Sequence, residues 1–310
     1  MEKKLLLALD GSVTSLSTLA YLAMMEAAVI PDLAVVLYHV MDPIPPHLRR
    51  HGQSEPESYR LVTQLEDRFR QTSEALLEHA REQLLSYGFA SDKVAVRMRP
   101  RVAGLAKDIL FEAEHGLYDA VVLGRRGTNR LQEVLLGSVA NKVVQHADRV
   151  PVWVVGGAVE SRRVLCALDR SPGAKAGVDH LGFMVGGNPH CQVTLFHVAP
   201  HLARLARMQH DAEDAEHLAR DLTAHDRRQM EAILEQARAM LLEAGLDPSQ
   251  IQHQEVSAPS VTKAILEAVT QGGYGTVVLG RRGEGGAFWL GHVSDRLLAA
   301  CDQASLWIVG

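Results

Sequence analysis

The chain has 310 residues and a formal net charge of −5 at pH 7, and 47% of its residues are hydrophobic and 22% charged. At roughly 150 residues per domain, this length predicts two domains, and the ordinary globular composition excludes disordered, collagen-like and coiled-coil classes. The acidic balance argues against a nucleic-acid partner, and no apolar run has the length needed to cross a membrane.

Short apolar runs alternate with longer helical patterns along the first half of the chain. The runs are rich in Val, Leu and Ile without strict alternation, which is typical of strands buried on both faces of a sheet. They cover residues 4–9, 34–40, 93–98, 119–124 and 151–155. Helical spacing occurs between them at residues 15–29, 58–87, 104–115 and 138–146. The alternation predicts a parallel sheet with right-handed crossovers.

Residues 41–56 interrupt this pattern between the second strand and the second helix. Four prolines, Pro43, Pro45, Pro46 and Pro56, predict an irregular loop here. The loop leaves the sheet at the edge where ligands enter such folds, so it is either a lid or an ordinary surface loop.

The second half of the chain repeats the first, in the same order and at a nearly constant offset. The matched pairs are residues 4–12 with 163–171, 36–40 with 194–198, 119–127 with 275–283, and 152–156 with 306–310. We predict a duplication into domains 1–157 and 158–310, the second with a long helix over residues 205–244. Each domain is predicted to be a doubly wound α/β unit with a five-stranded parallel sheet in the flavodoxin-like order 3-2-1-4-5.

The residues that follow the strands carry the candidate site, because ligands bind beyond the carboxyl ends of strands in open α/β sheets. After the fourth strand come Gly124 and Gly127, whose conformational freedom lets successive amides turn toward an anion. Gly137 and Ser138 then open a helix, whose free N–H groups and dipole favour negative charge. The loop and the helix start are together predicted to hold a polyphosphate.

The order of these residues resembles the universal stress protein family. The resemblance rests on Asp10 after the first strand, Val40 after the second, and Gly-x2-Gly-x9-Gly-Ser after the fourth, and it spans nearly the whole chain twice. In ATP-binding members of that family, the loop and helix start hold the phosphates. The resemblance implies ATP as the ligand, and a triphosphate usually brings Mg²⁺. It implies phosphate contacts at Gly124, Gly127, Gly137 and Ser138, and adenosine contacts at Asp10 and Val40.

Charged residues around this site have two interpretations each. Arg125, Arg126 and Arg130 either bring positive charge to the phosphates or belong to a solvated, flexible loop. Asp10 contacts the ligand, caps the helix that begins near Thr14, or does both, and Ser12 or Ser15 can fill the capping role as well.

The corresponding loop of the second domain departs from the pattern. Gly280 and Gly283 are present, but only seven residues separate Gly283 from Gly291, and His292 stands in place of serine. A loop two residues shorter does not superimpose on the first. We therefore expect weak or absent nucleotide binding and a mainly structural role for this domain.

The last strand of each domain carries a tryptophan, Trp153 or Trp307, among apolar residues. An exposed apolar edge strand promotes aggregation, and pairing the two edges removes the exposure. Dimers of the family commonly form through this strand, so the tandem chain resembles such a dimer fused into one polypeptide. Both tryptophans are then expected near the pseudo-twofold axis, and a homodimer of the whole chain is left open.

The sequence favours a regulatory protein of the stress response that binds a nucleotide, because a complete phosphate loop occurs without an evident catalytic set. The alternatives are a slow ATPase or phosphotransferase, and an interaction scaffold without nucleotide. No P-loop, Gly-x-Gly-x2-Gly or nucleophile-elbow motif occurs. The polar stretch 210–225 is interpreted as a solvated helix face rather than a metal site. Three widely spaced cysteines and the lack of a signal peptide predict a cytoplasmic protein.

Overall fold

A computed structural model of the chain divides into two compact units. It describes residues 2–30, 32–45, 48, 56–125, 137–157, 159–200, 212–283 and 290–310. The first unit comprises Met1–Ala23 and Asp32–Val150, and the second comprises Met24–Pro31 and Pro151–Gly310. The last strand of the first sequence repeat therefore belongs to the second unit.

The first unit contains four strands that pair in parallel. They are β1 (Lys3–Ala8), β2 (Leu33–Met41), β3 (Val94–Pro100) and β4 (Ala120–Gly124), in the order β3-β2-β1-β4. The helices of the first repeat are α1 (Val13–Ala28), α2 (Pro56–Ser86), α3 (Leu105–His115) and α4 (Ser138–His146). Strand order reverses beside β1, where one neighbour is β2 and the other is β4. Ligands of open α/β sheets bind at such a reversal.

The second unit contains six strands in the order β5-β10-β9-β6-β7-β8. They are β5 (Val152–Val155), β6 (Arg163–Leu168), β7 (Gln192–Pro200), β8 (Ile251–Ala258), β9 (Thr276–Gly280) and β10 (Ser305–Val309). Its helices are α5 (Pro172–Val185), α6 (Ala212–Glu243), α7 (Val261–Gly272) and α8 (His292–Ala300). The strands of the second repeat pair in parallel, whereas β5 joins β10 in the antiparallel direction.

The predicted fold class is confirmed. The second repeat shows the complete order 3-2-1-4-5, and the four strands of the first unit follow 3-2-1-4. The predicted pairing through the last strands is confirmed as well, because β5 and β10 pair with Trp153 opposite Trp307. The long helix of the second repeat is described from Ala212, and residues 205–211 of its predicted range lie outside the described residues.

Local signals in the sequence account for where the helices begin. Ser171 precedes Pro172, the first residue of α5, and its hydroxyl accepts a hydrogen bond from the amide of Ala174 at 3.1 Å. A serine cap followed by proline is a favoured helix start, because proline lacks the N–H that the first turn would leave unpaired. In α1 the hydroxyl of Ser12 accepts from the amide of Ser15 at 3.1 Å in the same way.

The core of each unit is apolar and lies on both faces of its sheet. Every residue from Val152 to Val155 in β5 is buried, and so are residues 120–123 in β4. All three cysteines are buried free thiols. No helix in the described ranges is both long enough and apolar enough to span a bilayer.

Candidate functional site

The candidate site of the first unit lies where β1, β2 and β4 end. Ala8 of β1 pairs with Tyr38 of β2 on one side and with Leu123 of β4 on the other. Asp10 and Val40 follow two residues later along parallel strands. The register of the sheet therefore brings the two predicted adenosine contacts to one edge.

Asp10 shapes the turn that leaves β1. Its Oδ1 accepts a hydrogen bond from the amide of Ser12 at 3.0 Å, and Gly11 between them has a φ of 77°, in the left-handed region that favours glycine. The side chain of Asp10 is exposed. Ser12 itself caps α1. Asp10 therefore does not cap this helix; it stabilises the turn that precedes the helix.

A histidine that the sequence analysis did not single out ties the same strand ends together. Nδ1 of His39 lies 2.8 Å from the carbonyl oxygen of Leu9, and because a carbonyl only accepts, the ring donates from Nδ1. His197 makes the equivalent contact with Leu168 in the second unit, at 3.2 Å. The signal was available, since both repeats place histidine immediately before a valine near the end of the second strand. Val40 lies inside β2, not after it as the sequence analysis expected.

The start of α4 is fixed beside the end of β4. The amide of Gly137 donates to the carbonyl of Arg125 at 2.8 Å, and the first bond inside the helix runs from Asn141 to Gly137 at 2.9 Å. Gly137 is the N-cap residue and supplies no side-chain cap. The next amides therefore lack an intrahelical partner and point outward, at an exposed Ser138, which is the arrangement that binds anions at helix starts.

The arginines of the loop have unequal positions. Arg125 is buried, and so is its counterpart Arg281 in the second unit. Each of these arginines therefore lies in the interior of its own unit. Arg126, Gly127 and Arg130 lie outside the described residues. Of the predicted phosphate contacts, the structure thus brings together Gly124, at the end of β4, with Gly137 and Ser138. 

The second unit repeats this scaffold. The amide of Gly291 donates to the carbonyl of Arg281 at 2.7 Å, which fixes the start of α8 beside the end of β9. Gly291 is again an N-cap without a side-chain cap. The hydroxyl of Ser294 adds a hydrogen bond to the carbonyl of Gly280 at 2.9 Å. The backbone frame is therefore common to both repeats, and the differences lie in what surrounds it.

The backbone is tightly packed at the site edge of the second unit. A Cβ placed on Gly173, in the first turn of α5, would lie 2.8 Å from the carbonyl oxygen of Arg282. The first repeat has Thr14 at this position. Oδ2 of Asp169 lies 3.2 Å from where a Cβ on Gly283 would stand. Asp169 is the counterpart of Asp10 in the first repeat.

A polar cluster, which we call the clasp, links Arg170 at the same edge of the second unit to Gln229 and Asp226 on α6. Arg170 donates to Oε1 of Gln229 at 2.8 Å, and its Nη1 lies 3.7 Å from Oδ1 of Asp226. The other oxygen of Asp226 lies 3.4 Å from Nε2 of the buried His197. Arg170 replaces the Gly11 of the first repeat, so the clasp is specific to the second. Sequence reasoning missed it, because Asp226 is one of many acidic residues on a long polar helix.

Comparison with known families assigns this architecture. The sequence model of the universal stress protein family matches the chain twice, at residues 1–156 and 160–309. The chain belongs to the universal stress protein family. The two matches confirm that this universal stress protein is a tandem of two family domains. No curated protein sequence matches it significantly.

Solved structures agree with this assignment at the level of the fold. A universal stress protein from Archaeoglobus fulgidus DSM 4304 aligns with 99% of this chain and 97% of its own, with a TM-score of 0.61 and 18% identity. The functionally unknown protein PA1789 from Pseudomonas aeruginosa PAO1 aligns with 99% of this chain and 92% of its own, with a TM-score of 0.59 and 13% identity. A universal stress protein in complex with cAMP covers 49% of this chain and 96% of its own, with a TM-score of 0.33 and 19% identity.

Proposed function

We propose that this universal stress protein binds one ATP per chain, at the carboxyl edge of the first unit, and acts as a nucleotide-dependent regulator of the stress response. The observation that carries the proposal is the 2.8 Å hydrogen bond from Gly137 to Arg125. It holds the uncapped start of α4 next to the end of β4. A loop end and a helix start side by side offer amide donors to successive phosphates.

The phosphates are proposed to lie on Gly124, Gly127, Gly137 and Ser138, with Arg126 adding positive charge. The adenosine is proposed to lie across Asp10 and Val40, which the strand register brings to the same edge. The exposed carboxylate of Asp10 accepts hydrogen bonds, so it suits a ribose hydroxyl rather than a phosphate. Glycine at position 11 leaves no side chain over this edge.

A stoichiometry of one follows from the contrast with the second unit. There Arg170, which replaces the Gly11 of the first repeat, reaches across to Asp226. We propose that this ion pair takes space that a nucleotide would need. The second unit is therefore proposed to be structural, as the shortened loop already suggests.

Magnesium fits this site through the nucleotide rather than through the protein. Among the described residues, no group of three or more His, Cys, Asp or Glu side chains is placed to hold a metal ion. Mg²⁺ is commonly bound by one or two carboxylates together with substrate phosphates. We propose binding without efficient hydrolysis, in the cytoplasm, where three free buried thiols suit a reducing compartment.

A paired substitution tests the proposal. The full chain is purified natively, extracted with acid to identify retained nucleotide, and titrated calorimetrically with ATP and Mg²⁺. Wild type and Gly283→Val are expected to bind one equivalent of ATP, whereas Gly127→Val binds none. An empty wild-type protein that ATP does not titrate contradicts the proposal, and two equivalents contradict the structural role of the second unit. Turnover that Gly127→Val abolishes would instead favour the slow ATPase.

A further inference from the structure

The outer edge of the first unit carries a stripe of positive charge. Arg97, Arg99 and Arg101 occupy alternate positions along β3 and the residue after it. Alternate residues of a strand point to the same face, about 6.6 Å apart, because each residue advances the chain by about 3.3 Å. The three side chains are 46%, 61% and 38% exposed. They form a row in a chain whose net charge is −5.

The carboxylates of the first unit neutralise this row only in part. Arg97 donates to Oε1 of Glu112 on α3, and the Nε of Arg99 lies 3.8 Å from Oε2 of the same carboxylate. Arg101 pairs with Asp42 at 2.8 Å. Three guanidinium groups therefore share two carboxylates, and Arg99 has the longest and most exposed contact.

The strand that carries the row is the edge of its sheet. Among the described residues, β3 pairs with β2 alone, from Val94 opposite Val35 to Pro100 opposite Met41. An edge strand leaves alternate N–H and C=O groups pointing away from the sheet, where an extended chain can add to it.

The second repeat provides an internal comparison. The strand β8 holds the same place as β3, with Ile251 aligned to Val94 by the register of each sheet. The positions of the three arginines are taken there by Gln254, Val256 and Ala258. The charge is thus specific to one edge and is not a general device for keeping edges soluble.

We propose that β3 is a docking edge for an extended, acidic segment of a partner protein, which adds to the sheet as a strand and places carboxylates at alternate positions against the arginine row. The outward-pointing backbone groups of β3 supply affinity for any extended chain, and the arginines select an acidic sequence over an apolar one. A nucleic acid is a poorer match, because it makes no use of the strand edge and meets a chain that is negative overall. The proposal does not depend on nucleotide binding.

The test uses the full chain, without nucleotide, and a fluorescent peptide with glutamate at three alternate positions separated by threonine and valine. Anisotropy at low salt is expected to show saturable binding. Arg99→Gln/Arg101→Gln is expected to weaken it about tenfold, as for the loss of two exposed ion pairs. This variant leaves Arg97 on the buried Glu112, so it retains the fold. The matched control, Arg60→Gln/Arg68→Gln, removes two exposed arginines from α2 and is expected to change the affinity less than twofold.

Two further peptides separate strand addition from simple charge attraction. A peptide with glutamine in place of each glutamate is expected to bind the wild-type protein about as weakly as Arg99→Gln/Arg101→Gln binds the original peptide. A peptide with N-methylated backbone amides is expected not to bind. Absence of binding to the wild type overturns the proposal. An equal loss in the α2 control, equal binding of the N-methylated peptide, or tighter binding of a single-stranded oligonucleotide overturns it as well.

Discussion

Trp153 and Trp307 stack face to face, with ring centroids 3.8 Å apart and planes inclined by only 3°. They are directly opposed in the antiparallel pair of β5 and β10, and both are fully buried. His180 of α5 approaches both rings edge-on and accepts a hydrogen bond from the indole N–H of Trp153 at 3.1 Å. The seam between the last strands is therefore a packed aromatic cluster with one polar bond inside it.

Removing one indole from this seam is expected to be strongly destabilising. Trp153→Ala leaves a large cavity, removes the ring that stacks on Trp307, and removes the N–H that donates to His180. Such a change costs about 3–5 kcal/mol in the free energy of unfolding. Chemical denaturation followed by far-UV circular dichroism measures it. Val102→Ala, at a side chain that is 86% exposed, is the control and is expected to change the free energy by less than about 0.5 kcal/mol.

The burial of His180 predicts a loss of stability in mild acid. Burial lowers the pKa of His180 from 6.5 to about 4, because the charged imidazolium loses its water. As the pH falls below 6.5, the unfolded chain takes up a proton at this residue and the folded chain does not until about 4. The free energy of unfolding is therefore expected to fall across that window, by up to about 1.4 kcal/mol per pH unit from this residue.

His180→Gln separates this effect from the titration of the carboxylates. A glutamine carbonyl can still accept from Trp153 but does not titrate, so the slope of stability against pH between 4 and 6.5 is expected to become shallower. Parallel slopes for wild type and His180→Gln would show that this histidine does not contribute.

The sequence predicted the strands well and the aromatic cluster of Trp153, Trp307 and His180 only in part. The strands predicted at 93–98 and 151–155 appear at Val94–Pro100 and Val152–Val155, because runs of branched apolar residues mark buried strands locally. The pairing of the tryptophans followed from the exposed edges. The role of His180 could not be predicted, since it depends on a contact 27 residues away that leaves no periodic trace.

Only part of the candidate site could likewise be predicted from the sequence. Gly137 and Ser138 were predictable because a glycine and a serine before a helical pattern have a local physical meaning. The shorter loop of the second unit predicts weak or absent nucleotide binding, and this stays a prediction. The contacts around that loop could not be predicted. The contact of Gly173 with Arg282 and that of Arg170 with Asp226 join segments far apart in the chain.

Two glycines in the second unit predict opposite effects of the same substitution. A Cβ on Gly275 would lie 1.9 Å from the carbonyl oxygen of Ser161, which is backbone and cannot rotate away. Gly275→Ala is therefore expected to lower the free energy of unfolding by about 1–3 kcal/mol. Gly177→Ala, inside α5, would bring a methyl group to 3.5 Å from Val278, an ordinary contact, and is expected to raise it by up to about 1 kcal/mol. Urea titrations of both variants check the two signs.

Leu117 and Gly273 occupy equivalent positions after α3 and α7 and share a left-handed backbone, with φ of 52° and 63°. This conformation costs a residue with a side chain about 1–2 kcal/mol but costs glycine little. Since the leucine is 84% exposed, its side chain gives up little packing when it is removed. Leu117→Gly is expected to stabilise the protein by about 0.5–1 kcal/mol after the entropy of glycine in the unfolded chain is subtracted, and Gly273→Leu is expected to destabilise it. The urea midpoints of the two exchanges should move in opposite directions, and a lower midpoint for Leu117→Gly would mean that the exposed leucine stabilises the fold by more than its backbone costs.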